Sequence, residues 1–191
     1  VLDVLDMQLV QYGSALIQRR QTFAEELGEI VHRIHSQLSG GQEEMELKYE
    51  PNVTVDAFAQ MLFTNRERDM RLKTTATGPH RDDISFVVNG VDIRKFGSQG
   101  QQRTAALSLK LSEIELVKRL IGDTPVLLLD DVLSELDSGR QNYLLNSIEN
   151  IQTLITCTGL DEFVNHRFSI NRIYKVTDGS VTVENKQEAD R

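Results

Sequence analysis

Two adjacent carboxylates, Asp130 and Asp131, directly follow the longest unbroken apolar run in the chain, Val126-Leu127-Leu128-Leu129. Opened by Pro125, that run predicts a buried strand, and a strand ending in acids delivers them to the C-terminal edge of a parallel sheet, where ligands bind in α/β proteins. This is a Walker B pattern, in which Asp130 would hold Mg²⁺ through water and Asp131 would orient or polarise an attacking water. A strand running into an acidic turn is common by itself, and the weight here comes from its neighbours. Ser134-Glu135-Leu136-Asp137 follows at once, and Phe96-Gly97-Ser98-Gln99-Gly100-Gln101-Gln102-Arg103 stands upstream at an expected helix start. Ser98 suits an N-cap, Gly100 lets a ligand approach the backbone, and the free N–H groups of the first turn with the helix dipole form a site for a phosphate. Without the acids, an ordinary cap with an ordinary glycine would explain Ser98 and Gly100.

The elements that must position these groups are legible from periodicity. Leu2, Leu5, Leu9, Tyr12 and Leu16, then Phe23, Leu27, Ile30, Ile34 and Leu38, form the seam of a long amphipathic helix that Ser39-Gly40-Gly41 ends. Arg19 and Arg20 interrupt the seam, and Gly13 and Gly28 each weaken the helix by about 1 kcal/mol relative to Ala. The expectation is a helical arm, an antiparallel pair lacking its partner, with His32 and His35 on its surface. A strand over 46–49 and a charged helix over 55–71 follow. Asn89-Gly90 between Ile84–Val88 and Val91–Ile93 signals a type I′ hairpin. A largely buried helix should run from Ser98 to Ile121, then a strand over 126–129, a helix over 138–148, a strand over 153–156 and a hairpin around Asp178-Gly179. Strand, helix, strand implies a parallel pair in an α/β layer.

Composition narrows the function classes. With 39% hydrophobic residues the chain of 191 is an ordinary globular sequence. No apolar run approaches the length of a membrane span and no basic-then-apolar leader opens it, so the expected setting is cytoplasmic, with no membrane partner. The single cysteine, Cys157, excludes an internal disulfide and is expected to be a small buried residue. The net charge of −8 argues against nucleic acid until it is divided. Residues 61–119 carry 11 Lys and Arg against 7 Asp and Glu, a local +4, and any DNA face is expected there, with Arg66, Arg68, Arg71 and Lys73 as candidate contacts. His80-Arg81-Asp82-Asp83 is expected to form a cap network, with Arg81 pairing an acid, in preference to a metal or catalytic site. The start at Val1 without Met or capping signal suggests a fragment of a longer protein.

Three ordered runs carry a family resemblance. Ser98-Gln99-Gly100-Gln101 resembles the ABC signature with Gln replacing its first glycine. Asp130-Asp131 is similar to Walker B with aspartate at the usual glutamate position, and Ser134 to Asp137 is similar to the D-loop. With Thr77-Gly78-Pro79-His80-Arg81-Asp82-Asp83, the longer runs resemble RecF, of the SMC/ABC class, over essentially the whole chain. The resemblance implies an α/β fold, the C-terminal part of an ABC/SMC-type ATPase head over 78–191 with a helical arm over 1–77. It implies a role in DNA replication, DNA damage repair and the SOS response: an ATP-dependent homodimer that binds gapped DNA at single-strand/double-strand junctions and, with RecO and RecR, helps load RecA. Carried over residue by residue, Ser98, Gln99 and Gly100 with Gln101 are the nucleotide contacts, reaching the γ-phosphate of ATP on the other subunit. Asp130 is the Mg²⁺ ligand, Asp131 the catalytic carboxylate and Asp137 a D-loop contact across the dimer, while Arg103 would hold the signature helix or a nearby acid.

Two departures qualify the resemblance. No GxxxxGK[ST] run occurs, so the phosphate-binding P-loop is absent and the chain alone is expected to be inactive and not to hold ATP tightly. Where a switch histidine usually stands the chain reads Thr156-Cys157-Thr158-Gly159, which leaves open whether Thr158 substitutes and implies slow hydrolysis. Rival readings are the nucleotide-binding subunit of another ABC machine such as a transporter, disfavoured by the arm and the missing histidine, and a non-enzymatic interaction module. A serine hydrolase fails, because Phe96 occupies a position where the nucleophile elbow needs glycine.

Overall fold

Helix α1, Leu2–Leu38, is about 55 Å long at 1.5 Å per residue. In the computed structural model, which describes residues 1–158 and 170–184, it is the element against which the first of two compact units assembles. That unit is Val1–Pro125 and the second is Val126–Arg191. Ser39 caps α1, and Gly40 and Gly41, both at positive φ, reverse the chain as the Ser-Gly-Gly signal demands. Strand β1, Met45–Glu50, pairs antiparallel with β2, Asp83–Val88, from Met45 opposite Val88 to Glu50 opposite Asp83. Asn89 and Gly90, both at positive φ, then turn β2 into β3, Val91–Asp92. Helix α2, Val55–Leu72, lies on the N-terminal half of α1, while β1 and α4, Gln99–Ile121, lie against α1 as well. A four-residue helix α3, Ile93–Phe96, capped by Asp92, joins β3 to α4.

Several expectations change here. The arm is not left without a partner, because α2, β1 and α4 pack on α1 within one unit. The boundary expected at 77/78 falls inside that unit, since β1 pairs with β2 across it. Along the first half of α1 the buried line runs through Gly13, Ile17 and Ala24, one residue on from the expected seam, and Leu2, Leu5, Leu9, Tyr12, Leu16 and Phe23 are exposed. Small residues decide this: a Cβ on Gly13 would come within 2.5 Å of Phe58 Cε1, so the ring of α2 occupies the space that glycine vacates. Phe58 thereby joins Ile17, Val53 and Leu62 in a core cluster. Helix α4 buries one face rather than most sides, and its last turn leaves Leu120 and Ile121 exposed.

In the second unit β4, Leu127–Asp130, pairs parallel with β5, Thr153–Thr156, and α5, Ser138–Ser147, makes the crossover. Leu133, Leu144, Leu145 and Ile148 are buried in the same unit. The strand expected to be fully buried is buried on one face only: Leu127 and Leu129 face the core, while Val126 and Leu128 are exposed. Cys157 is half-buried. A separate hairpin, β6 (Ile173–Thr177) and β7 (Ser180–Glu184), turns at Asp178 and Gly179, both at positive φ. Among the described residues no helix is long and apolar enough to cross a membrane.

Candidate functional site

The first candidate region, in the first unit, is the turn into α4. A Cβ on Gly97 would lie 2.6 Å from the Ile93 carbonyl oxygen, so only glycine lets the chain leave α3 this closely. Ser98 then caps the helix: Ser98 Oγ accepts from the Gln101 N–H (3.2 Å), and Gln101 Oε1 accepts from the Ser98 N–H (3.1 Å), a complete capping box. Gln99 and Gly100 occupy the next two positions, whose N–H groups have no intrahelical acceptor, and both residues are exposed. Gly100 is not at positive φ, and a Cβ there would meet only Ser98 Oγ, at 3.9 Å. Among the described residues nothing requires glycine at position 100, and the space it leaves faces outward. Gln101 differs from its neighbours. With Oε1 accepting from Ser98 and Nε2 donating to Glu43 Oε1 (2.9 Å), both ends of its amide are engaged within the chain, so it shapes the turn.

The second candidate region, in the second unit, is the end of β4. Asp130 closes the strand opposite Thr156, and Thr156 Oγ1 donates to Asp130 Oδ1. Asp131 follows with φ of 49°, a left-handed conformation that aspartate tolerates better than most residues, and its N–H is held by the Thr156 carbonyl (3.2 Å) and hydroxyl (3.1 Å). Thr156 thus holds the Asp130 carboxylate and the Asp131 backbone, a role the sequence did not reveal; Thr158 is exposed and Gly159 lies outside the described residues. Ser134 Oγ donates to the Asp131 carbonyl (2.9 Å), which ties the D-loop run to the acidic turn. Asp137 is the N-cap of α5: its Oδ1 accepts from the Arg140 N–H (3.1 Å), and its carboxyl is held below the ordinary range first by that bond and then by the Arg140 charge. Among the described residues no group of three or more His, Cys, Asp or Glu is placed to hold a metal. Mg²⁺ commonly needs only one or two carboxylates, its other ligands being waters and substrate phosphates, so Asp130 with Asp131 fits that donor set.

The four candidate DNA contacts are not equivalent. Arg66 pairs with Asp3 (2.8 Å) and Asp6 and lies 5.9 Å from the Phe63 ring centroid, so it clamps α2 to α1 and its charge is met within the chain. Arg68, Arg71 and Lys73 are exposed, Lys73 at the left-handed C-cap of α2. The turn at His80 is the expected network with different partners. Asp82, not an acid facing Arg81, is its hub, accepting from Arg20 (3.0 Å), Tyr49 and the Asn52 N–H (2.9 Å), while Arg81 reaches Thr74 Oγ1 at 3.4 Å. His35, expected on the surface, is buried between Ser108 and Glu43.

No protein-family model matches the chain. It is 60% identical over 184 residues to the DNA replication and repair protein RecF of Lachnospira eligens, covering 96% of this chain and 51% of that protein. RecF of Clostridium perfringens is 41% identical over 186 residues, with similar coverage. A solved structure of the recombination mediator protein RecF with ATP superposes with a TM-score of 0.83 at 34% identity, over 96% of this chain and 50% of that one. This chain corresponds to the C-terminal half of RecF-family proteins. It spans about half the length of the curated relatives it matches. An SMC ATPase structure, at 14% identity and a TM-score of 0.54, shares the mixed α/β fold.

Proposed function

We propose that this chain is the signature and Walker B half of a RecF-type DNA replication and repair ATPase, acting in the cytoplasm as an ATP-dependent homodimer on gapped DNA with RecO and RecR. The observation that carries the reading is the outward-facing space at Gly100 on a capped helix start, in a chain whose β4 ends in two acids. The exposed Gln99 and Gly100 N–H groups and the Ser98 hydroxyl offer hydrogen bonds to the γ-phosphate of ATP bound by the other subunit, where the helix dipole favours negative charge. Asp131 would orient the attacking water, and Asp130, held by Thr156, would hold Mg²⁺ through water. Mg²⁺, when bound, neutralises charge on the phosphate oxygens. Asp137 serves as the D-loop contact across the dimer, and Arg68, Arg71 and Lys73 contact DNA, with Arg66 supporting them.

The test is Ser98→Arg in the full-length protein, which places a long cation where the partner's phosphate must dock and leaves the same chain's P-loop untouched. The variant should bind ATP near parental affinity yet stay monomeric with ATP in sedimentation. A helix cap alone would cost about 1 kcal/mol of stability and leave dimerisation intact, an outcome that would sink the reading.

A further inference from the structure

The buried histidine belongs to a chain of polar groups that ends on the signature turn. Three hydroxyl residues on the buried face of α4, Thr104, Ser108 and Ser112, donate back to carbonyls one turn earlier, Ser108 Oγ to the Thr104 carbonyl at 2.7 Å. With its hydrogen committed there, Ser108 Oγ accepts from His35 Nδ1 (2.9 Å). His35 Nε2 lies 3.1 Å from Glu43 Oε2, a hydrogen bond to a carboxylate that requires a hydrogen on both ring nitrogens, and the carboxylate's other oxygen accepts from Gln101 Nε2 (2.9 Å). Ser39 Oγ, at the end of α1, fixes the Glu43 backbone by accepting its N–H (3.2 Å). Every residue in this relay lies in the first unit.

We propose that Glu43, held by His35, is a positioning residue for the signature turn. The logic is one of donors and acceptors. A glutamine amide can face either way, and the capping box works only when Oε1 meets the Ser98 N–H. A carboxylate accepts and cannot donate, so Glu43 draws the NH₂ of Gln101 and leaves the oxygen for Ser98. His35 is fully buried, so its ring is fixed by packing and anchors Glu43 to the body of α1 and α4. The geometry of the Ser98–Gly100 edge is therefore set from the end of α1, through side chains that contact no nucleotide. This inference rests on the function proposed above, in which that edge meets the γ-phosphate.

The test uses the full-length protein and reads ATP affinity by titration, ATP-driven self-association by sedimentation, and melting temperature. Glu43→Leu should keep ATP affinity within about twofold and weaken self-association about tenfold, the scale of coupling between residues in one hydrogen-bonded network. Glu43→Gln, which keeps an acceptor for Gln101, should stay within about twofold of the parent. Gln101→Glu alone sets two carboxylates against each other and should weaken self-association similarly. Combined with Glu43→Gln it restores a donor facing an acceptor, while the new carboxylate still accepts from Ser98, so the double variant should recover. This last comparison keeps the test decisive even if Glu43→Leu fails to fold. Additive losses in the double variant, or parallel losses of melting temperature and ATP affinity in Glu43→Leu, would overturn the proposal in favour of a structural role. If Ser98→Arg blocks self-association while Glu43→Leu leaves it unchanged, the positioning role alone fails; if Ser98→Arg has no effect, the function reading fails first.

Discussion

In the first unit α1 buries Ala24, Leu27, Ile30, Val31 and Ile34 along one line, whereas in the second the parallel pair β4–β5 buries Leu127 and Leu129 but leaves Leu128 71% and Leu154 55% exposed. Parallel sheets are normally covered on both faces. The two candidate regions therefore rest on different foundations. The signature turn is shaped by a polar network within its own well-packed unit. The acidic turn stands on a sheet with one exposed face, and Thr156 braces the Asp130 carboxylate and the Asp131 N–H.

Core truncation should show the largest contrast. Phe58→Ala removes a fully buried ring from the first unit and should cost about 3–5 kcal/mol, whereas Leu128→Ala, on the bare face of β4, should stay within about 0.5 kcal/mol. Denaturant unfolding of the two variants measures the difference. Equal losses would mean that the face of β4 is covered in solution, and the contrast between the units would collapse.

A smaller effect separates two glycines on the same helix. Gly28→Ala brings a methyl group no closer than 3.7 Å to the Leu47 carbonyl oxygen and should stabilise the protein by up to about 1 kcal/mol through helix propensity. Gly13→Ala drives its methyl into Phe58 and should destabilise by about 1–3 kcal/mol despite the same gain in propensity. Shortening the ring position with Phe58→Leu should remove much of the Gly13→Ala penalty. Equal signs at the two glycines would show that the α1–α2 contact yields easily.

Those glycines mark where sequence legibility ended. Elements with strong local signals were readable almost to the residue: α1 from its 3–4 spacing, the Ser98 start of α4 from its cap, the β2–β3 turn from Asn89-Gly90. Which residues of α1 face inward was not, because apolar spacing ranks Leu16 and Phe23 above Gly13 and Ala24, while close packing rewards the small pair. The same blindness hid His35 and the hydroxyl stripe of α4. Polar residues at helical spacing read as solvent-facing, and only the partners, Glu43 and the preceding carbonyls, show that each is satisfied inside. A polar spacing of four on an otherwise apolar helix, Thr104, Ser108 and Ser112, was the signal available. At the acids, the motif identified Asp130 and Asp131 but not Thr156, whose role depends on register across β4 and β5.

The smallest expected effect concerns how each unit caps its site helix. The first uses uncharged groups, Ser98 with Gln101; the second uses the carboxylate of Asp137, with Arg140 beside it. Because the Arg140 N–H and guanidinium favour the ionised form, the folded-state pKa of Asp137 lies below its unfolded value, near 3.9 for an unperturbed aspartate. A depressed carboxylate contributes stability that is present above the unfolded pKa and lost as pH falls through the folded one. The side chain is 56% exposed, so solvent screening keeps the charge-dependent part small. Asp137→Ala should thus cost about 1 kcal/mol at neutral pH and progressively less below pH 4. Asp137→Asn retains a capping oxygen without the charge, and its deficit against the parent should be smaller at neutral pH and vanish in acid. Unfolding curves of the three proteins from pH 7 down to about 3 supply the comparison. A deficit for Asp137→Ala that grows as pH falls would reverse the sign and show that the carboxyl is not held in its ionised form by the start of α5.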